Sequence, residues 1–148
     1  VAIFTQLEKL DFTGKKVMAL MTHEGSGLGN SERDLRKICK GAVFGAGVSP
    51  SQAPIEAILK VDLYGTAVLL EEVGKVIAEG GCGVTISSQS GWRMPQLTKE
   101  EDEELAITPT EELLELEILQ PENIKDTLHA YQMAKRCNEK RVMAQLVE

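Results

Sequence analysis

The sequence predicts an α/β fold, a small three-layer αβα arrangement with a short parallel sheet of about three strands. Two observations predict this class. Short apolar runs alternate with segments whose apolar residues recur at helical spacing, and glycine-containing turns join the two kinds of segment. Strands that alternate with helices in this way normally pair in parallel, with the helices packed on the faces of the sheet.

Three short apolar runs are the predicted strands. The first is KKVMALMT at 15–22, which the glycine-rich segment EGSGLGN follows directly. A helix that begins at Ser31 is expected next, because a serine hydroxyl caps the first backbone N–H groups of a helix. The second and third predicted strands are AVFGAG at 42–47 and GVTISS at 83–88.

Two long segments have the apolar spacing of helices. One covers 54–79 and ends at the glycine pair 80–81, and the other begins at Pro121, a residue well suited to a first helical turn. Between them, residues 99–117 carry nine of the 23 acidic residues. Such a charge density predicts a solvated helical insertion rather than a core element.

Composition excludes several classes of function. The chain has 148 residues and a formal net charge of -7, so it lacks the basic surface that attracts nucleic acid. Its apolar runs are a few residues long, whereas a membrane span needs roughly 20. There is no basic segment followed by an apolar one at the start, so no secretory signal is predicted and a cytoplasmic location is expected.

No metal site is predicted. The three cysteines lie more than forty residues apart, which rules out a C-x-x-C unit for zinc or disulfide exchange. The acidic run also lacks the residue order of a calcium-binding loop. Because the chain begins at Val1 and ends within a helical pattern, we expect it to be a piece of a longer reading frame.

The pair Tyr131 and Lys135 is the strongest candidate for chemistry. Residues four apart leave the same face of a helix, about one turn from each other. An ammonium group close to a phenol stabilises the phenolate and lowers the pKa of the tyrosine from about 10, which suits proton exchange with an alcohol or a carbonyl.

A second polar group supports this pair. Ser87 and Ser88 lie at the carboxyl end of a predicted strand, where ligands bind in open α/β sheets. Together with other segments they resemble the short-chain dehydrogenase/reductases over residues about 45–148. The segments that carry the resemblance are the turn Ala46-Gly47, VDLYGT at 61–66, GVTISSQSG at 83–91 and YQMAK at 131–135.

The resemblance implies a set of catalytic and cofactor-binding positions. Ser88 would hold the substrate oxygen, Tyr131 would transfer the proton, and Lys135 would lower the pKa of the tyrosine and touch the cofactor ribose. Asp62 stands where that family has an asparagine, and a carboxylate cannot donate the amide hydrogen bonds. The implied cofactor is NAD or NADP, with Ala46 and Gly47 at its site, and the implied substrate is a small molecule.

The first 47 residues resemble a different protein. THEGSGLG at 22–29 imitates a dinucleotide phosphate loop, with His23 in place of the first glycine. The whole segment 1–47 more closely resembles the carboxyl-terminal half of a bacterial flavodoxin, with a junction near 44–47. In flavodoxins this loop borders the flavin of FMN, which implies contacts from Thr22, His23, Gly25, Ser26 and Gly27.

The two resemblances predict a flavodoxin-like segment at 1–47 and a reductase catalytic segment at 48–148, packed as one Rossmann/flavodoxin-like unit. The predicted function is NAD(P)-dependent interconversion of an alcohol and a carbonyl. Three alternatives stay open: an incomplete or inactive fragment, an FMN-binding electron carrier, and a nonfunctional chimera. The predicted helices at 55–79 and 121–147 have apolar residues that must be buried against another surface, so a homo-oligomer is expected.

Overall fold

The structure is a computed structural model, and it describes residues 17–22, 33, 34, 37, 43–77, 79 and 81–145. The predicted helix start at Ser31 and the loop residues His23, Gly25, Ser26 and Gly27 lie outside the described residues.

Three short strands pair in parallel. They are β1 (Val17–Thr22), β2 (Val43–Gly47) and β3 (Cys82–Val84), in the order β2-β1-β3. In this register Thr22 lies opposite Gly47, and Val17 lies opposite Cys82. The ladder therefore joins β1, from the segment before the expected junction, to β3, from the segment after it.

A helical segment with a π-helical centre follows β2. Helix α1 (Ile55–Ile58) runs directly into a π-helical stretch at Leu59–Tyr64, which continues into α2 (Gly65–Gly74). Short π-helical insertions are uncommon and occur frequently at functional sites. This one contains Asp62, and it sets the direction in which that side chain leaves the helix.

The second half of the chain is helical. It contains a 3₁₀ turn at Gln89–Trp92, α3 (Lys99–Ile107), two further 3₁₀ segments at Thr110–Glu115 and Glu117–Leu119, and the long helix α4 (Thr127–Gln145). A helix starting at Pro121 was predicted, but residues 121–126 form turns and loop and α4 begins six residues later.

The hydrophobic core is built around α4. Its buried apolar residues come from the helices, the 3₁₀ segments and one connecting loop: Ile58, Leu59, Leu63, Ala67, Leu105, Leu113, Leu119, Ile124, Ala130, Met133, Ala134 and Cys137. Leu105 and Leu113 belong to the acidic stretch, and both are fully buried. The prediction that 99–117 is a solvated insertion outside the core is therefore wrong, because its leucines point inward while most of its acidic side chains are exposed.

The predicted three-layer αβα fold is also wrong. The described residues are mainly helical: α4 alone has 19 residues, whereas the strands have six, five and three. Among the residues whose burial the structure describes, the buried apolar cluster comes from helix packing around α4. Strands this short offer too little apolar surface to cover helices on two faces, so the leucines of 97–124 supply the core instead.

Among the described helices, none combines the length and the apolar character that crossing a membrane requires.

Candidate functional site

Tyr131 and Lys135 meet on one face of α4. The Nζ atom of Lys135 lies 5.3 Å from the centre of the Tyr131 ring, within the range of a cation–π contact. The Lys135 side chain is only 1% exposed, although lysine is among the residues least often buried. The helix thus holds an ammonium group beside a half-buried phenol, in a place largely closed to water.

The segment after β3 packs against Lys135 at two points. The Nζ atom donates a hydrogen bond of 3.3 Å to the carbonyl oxygen of Ile86. The hydroxyl of Ser87 donates one of 3.2 Å to the carbonyl oxygen of Lys135. Burial lowers the pKa of Lys135, and the charge of Asp62 opposes this shift.

Asp62 reaches the same region from the π-helical stretch. Its side chain is 2% exposed, and its Oδ1 accepts a hydrogen bond of 2.7 Å from the Val48 N–H. Burial raises the pKa of this carboxyl, while the Val48 hydrogen bond and the charge of Lys135 lower it. Two buried groups of opposite charge therefore act on each other here.

Ser88 directly precedes the 3₁₀ turn at Gln89–Trp92. Its Oγ accepts a hydrogen bond of 3.1 Å from the Ser90 N–H, which leaves the hydroxyl proton as a donor. Within the described residues no hydrogen bond joins Ser88 to Tyr131. The turn nevertheless packs closely against α4. A Cβ atom on Gly91 would lie 3.0 Å from the main-chain nitrogen of Arg136.

The predicted cofactor residues of β1 and β2 lie at one end of the strand ladder. Ala46 pairs with Met21, and Gly47 pairs with Thr22. Gly47 is buried and precedes Val48, whose N–H binds Asp62. Thr22, Ala46 and Gly47 therefore belong to the same neighbourhood as Asp62, while His23, Gly25, Ser26 and Gly27 lie outside the described residues.

Asn138 is a site residue that the sequence analysis missed. Its Nδ2 donates a hydrogen bond of 3.0 Å to the carbonyl oxygen of Asp62, and the Thr66 hydroxyl donates one of 2.8 Å to the same oxygen. Asn138 follows Tyr131 by seven positions and Lys135 by three, which places all three on one helix face. That spacing is the signal that could have identified it.

The described residues contain no group of three or more histidine, cysteine, aspartate or glutamate side chains placed to bind a metal ion. The site consists of hydrogen-bonding groups together with the buried side chains of Asp62 and Lys135. It presents a phenol beside a buried lysine, and a serine hydroxyl that can donate a hydrogen bond.

Sequence comparison supports a relationship with one class of proteins, the short-chain dehydrogenase/reductases, which are oxidoreductases. One similar protein is "Short-chain dehydrogenase/reductase bsc3" from Alternaria brassicicola, 38% identical over 97 residues. Those residues cover 65% of this chain and 35% of that protein, so the chain spans about a third of the length of its relative. The flavodoxin resemblance receives no support from the comparisons.

Neither a protein-family model nor a solved structure gives a significant match to the chain.

Proposed function

We propose that this chain is the catalytic segment of a short-chain dehydrogenase/reductase that interconverts an alcohol and a carbonyl with NAD or NADP. One observation carries the proposal: the buried Lys135 ammonium lies 5.3 Å from the Tyr131 ring centre. The partial similarity to a protein of this name supports the family. The cofactor, the substrate class and the roles below belong to the proposal.

Tyr131 is the proton donor for carbonyl reduction and the proton acceptor for alcohol oxidation. The helix holds the Lys135 ammonium 5.3 Å from the centre of the Tyr131 ring, which places a positive charge beside the phenol. The phenolic oxygen then exchanges a proton with the reacting oxygen of the substrate.

Ser88 holds the reacting oxygen of the substrate. Its Oγ already accepts the Ser90 N–H, so the hydroxyl proton is directed to another partner. A donor in this role strengthens its hydrogen bond as charge develops on the oxygen in the transition state.

Lys135 also has the donors that a nicotinamide cofactor requires. An ammonium group has three N–H bonds, and the hydrogen bond to Ile86 uses one of them. The others suit the hydroxyl oxygens of the nicotinamide ribose. Bound NAD(P) supplies the hydride or receives it. Thr22, Ala46 and Gly47 would line the adjoining part of the site, where glycine lets a ligand approach the backbone closely.

The Tyr131→Phe variant tests the proposal. We expect it to lose at least about 100-fold in turnover, because proton transfer by a positioned group contributes roughly that much or more. The measurement is the change in nicotinamide absorbance with NADH and with NADPH over a panel of small ketones. Tyr64→Phe is the matched control, since the chain has two tyrosines.

Turnover by Tyr131→Phe equal to that of the Tyr64→Phe control would refute the proposed role. Absence of turnover and of NADH or NADPH binding in the unmodified chain would refute the proposed function of this segment.

We also infer that the protein acts as a homo-oligomer. Large apolar side chains on the helices, including Val61, Leu128 and Met143, remain more than a third exposed, which supports contact with a second copy.

A further inference from the structure

We propose that Trp92 is a positioning residue: its ring stacks on Arg136 and so holds the turn next to Ser88 against α4. This inference rests on the proposed function, in which Ser88 binds the reacting oxygen of the substrate. It also assigns a task to the acidic helix α3, because Asp102 of that helix binds the guanidinium on which the ring lies.

The contact between Trp92 and Arg136 joins an exposed ring to a buried cation. The guanidinium carbon lies 4.3 Å from the centre of the indole ring, within the range of a cation–π contact. Trp92 is 64% exposed, whereas Arg136 is 8% exposed. A tryptophan this exposed adds little to the hydrophobic core, so its contact with Arg136 acts mainly on the position of the turn.

Asp102 holds the guanidinium of Arg136 in one orientation. The Nε atom donates a hydrogen bond of 2.9 Å to one carboxylate oxygen, and Nη2 donates one of 2.7 Å to the other. A bidentate pair of this kind fixes the plane of the guanidinium as well as its place. The ring that stacks on this plane is therefore held against a rigid partner.

The turn links the Trp92 ring closely to the Ser88 hydroxyl. Ser88 directly precedes the 3₁₀ turn, and Trp92 is its last residue. The Oγ atom of Ser88 accepts the Ser90 N–H at 3.1 Å, and its carbonyl oxygen accepts the Gly91 N–H at 3.2 Å. So short a segment with two internal hydrogen bonds has little freedom, and a ring held at one end restricts the hydroxyl at the other.

Contacts with α4 lie on both sides of Ser88. Before it, the Ser87 hydroxyl donates a hydrogen bond of 3.2 Å to the carbonyl oxygen of Lys135. After it, the backbone of Gly91 lies close to the backbone of Arg136. Glycine has no side chain with which to hold the helix, so the Trp92 ring supplies the attraction on this side.

The position of Ser88 matters because its hydroxyl and the Tyr131 phenol must meet the same substrate oxygen. Tyr131 lies on α4 and Ser88 lies beside the turn, so packing between these two elements sets the distance between the two groups. A shift of about 1 Å in a positioned group costs up to about 100-fold in rate. Trp92 therefore acts on the reaction through Ser88.

Hydrogen exchange at the Ser90 amide tests the inference without cofactor or turnover. That N–H is bonded to the Ser88 Oγ, so its exchange rate, measured by NMR, reports whether the hydroxyl is held in place. In Trp92→Ala we expect Ser90 to exchange about five-fold faster or more, the factor that corresponds to a cation–π contact of ordinary strength. In Trp92→Phe the rate should return toward that of the unmodified chain, because a phenyl ring keeps a π face.

Ile107→Ala is the matched control, since Ile107 is 64% exposed, as Trp92 is, and lies on α3. Equal Ser90 rates in Trp92→Ala and Ile107→Ala would overturn the inference. An equal acceleration at Ser90 and at Ala134 within α4 would also overturn it, because that pattern shows a general loss of stability. If Trp92→Ala does not fold, Trp92→Leu replaces it, since leucine keeps the apolar volume but lacks a π face.

Turnover supplies a second test, which separates positioning from a merely structural role. If Trp92 acts through Ser88, Trp92→Ala should lower kcat and leave the KM for the nicotinamide cofactor unchanged. The double variant Ser88→Ala/Trp92→Ala should then be as slow as Ser88→Ala and no slower, because the effects of coupled residues do not add. Losses that multiply would show that Trp92 acts independently of Ser88 and would overturn the inference.

The two tests distinguish this inference from the proposed function. Faster Ser90 exchange in Trp92→Ala, together with full turnover by Tyr131→Phe, would refute the reductase mechanism and leave the anchoring of the turn in place. Unchanged Ser90 exchange in Trp92→Ala, together with loss of turnover in Tyr131→Phe, would overturn the role of Trp92 and leave the proposed function in place.

Discussion

At the scale of single residues, Gly91 allows the turn that carries Ser88 to touch α4. A Cβ atom there would lie 3.0 Å from the nitrogen of Arg136 and 3.2 Å from the carbonyl carbon of Lys135. Both neighbours are helix backbone, which cannot move aside without disturbing hydrogen bonds. A glycine at this position therefore determines how closely the candidate serine approaches the helix of Tyr131 and Lys135.

Gly91→Ala should destabilise the protein by about 1–3 kcal/mol, the usual cost of forcing extra volume into a packed contact. The free energy of unfolding from urea titration measures it. Gly83→Ala is the matched control, because a Cβ atom on Gly83 would meet nothing within 4 Å. An unchanged stability of Gly91→Ala would show that the close contact with α4 is not maintained in solution.

At the scale of elements, one ion-pair network joins the acidic helix α3 to α4. Arg136 donates two hydrogen bonds to the carboxylate of Asp102, at 2.9 and 2.7 Å, and Lys140 lies 3.1 Å from the same group. The guanidinium also stacks on the exposed ring of Trp92 at 4.3 Å. A bidentate pair of this kind is stronger than an ordinary surface ion pair.

The network predicts a pH dependence of stability. The hydrogen bond from Arg136 holds the pKa of Asp102 below its ordinary value of 3.8. The folded state therefore binds this proton less readily than the unfolded state, so the stabilisation is complete above that value and is lost as pH falls through the folded-state pKa.

Asp102→Asn should remove this contribution, lowering the free energy of unfolding near neutral pH by about 2 kcal/mol. Below the folded-state pKa of Asp102 the difference from the unmodified chain should disappear. Denaturant titrations across pH measure both effects, and Glu103→Gln, an exposed acid on the same helix, is the control. A difference that persists unchanged at low pH would contradict the charge-based explanation.

At the scale of the whole molecule, the acidic stretch is part of the core. Leu105 is fully buried on α3, while Ile107 on the same helix is 64% exposed. Leu105→Ala should therefore cost about 2–5 kcal/mol of stability, as buried leucines usually do, and Ile107→Ala should change it by less than about 0.5 kcal/mol. Thermal or urea unfolding distinguishes the two. Equal and small changes in stability for the two variants would indicate that 99–117 is a solvated insertion.

The spacing of four residues correctly predicted that Tyr131 and Lys135 share one helix face, because this relation depends only on helix geometry. The sequence pattern did not predict that Asp62, Val48 and Asn138 lie near them. Those contacts join the π-helical stretch, the end of β2 and α4, and no local pattern encodes the packing of distant segments. The predicted fold class was wrong for a related reason. The many acidic residues of 99–117 indicated a solvated segment, although the leucines in it build part of the core.

The sequence by itself determined the pairing of a tyrosine with a lysine and the similarity to a reductase over 97 residues. Its prediction of a strand over 83–88 was wrong, because β3 ends at Val84 and Ser88 directly precedes a 3₁₀ turn. Tertiary structure alone decided that Lys135 is buried, that the charge of Asp62 raises the pKa of Lys135 against the effect of burial, and that the leucines of the acidic stretch pack inward. The physical reason is that spacing along a helix is a local property, whereas desolvation and the field of a buried charge depend on every segment that packs around a group.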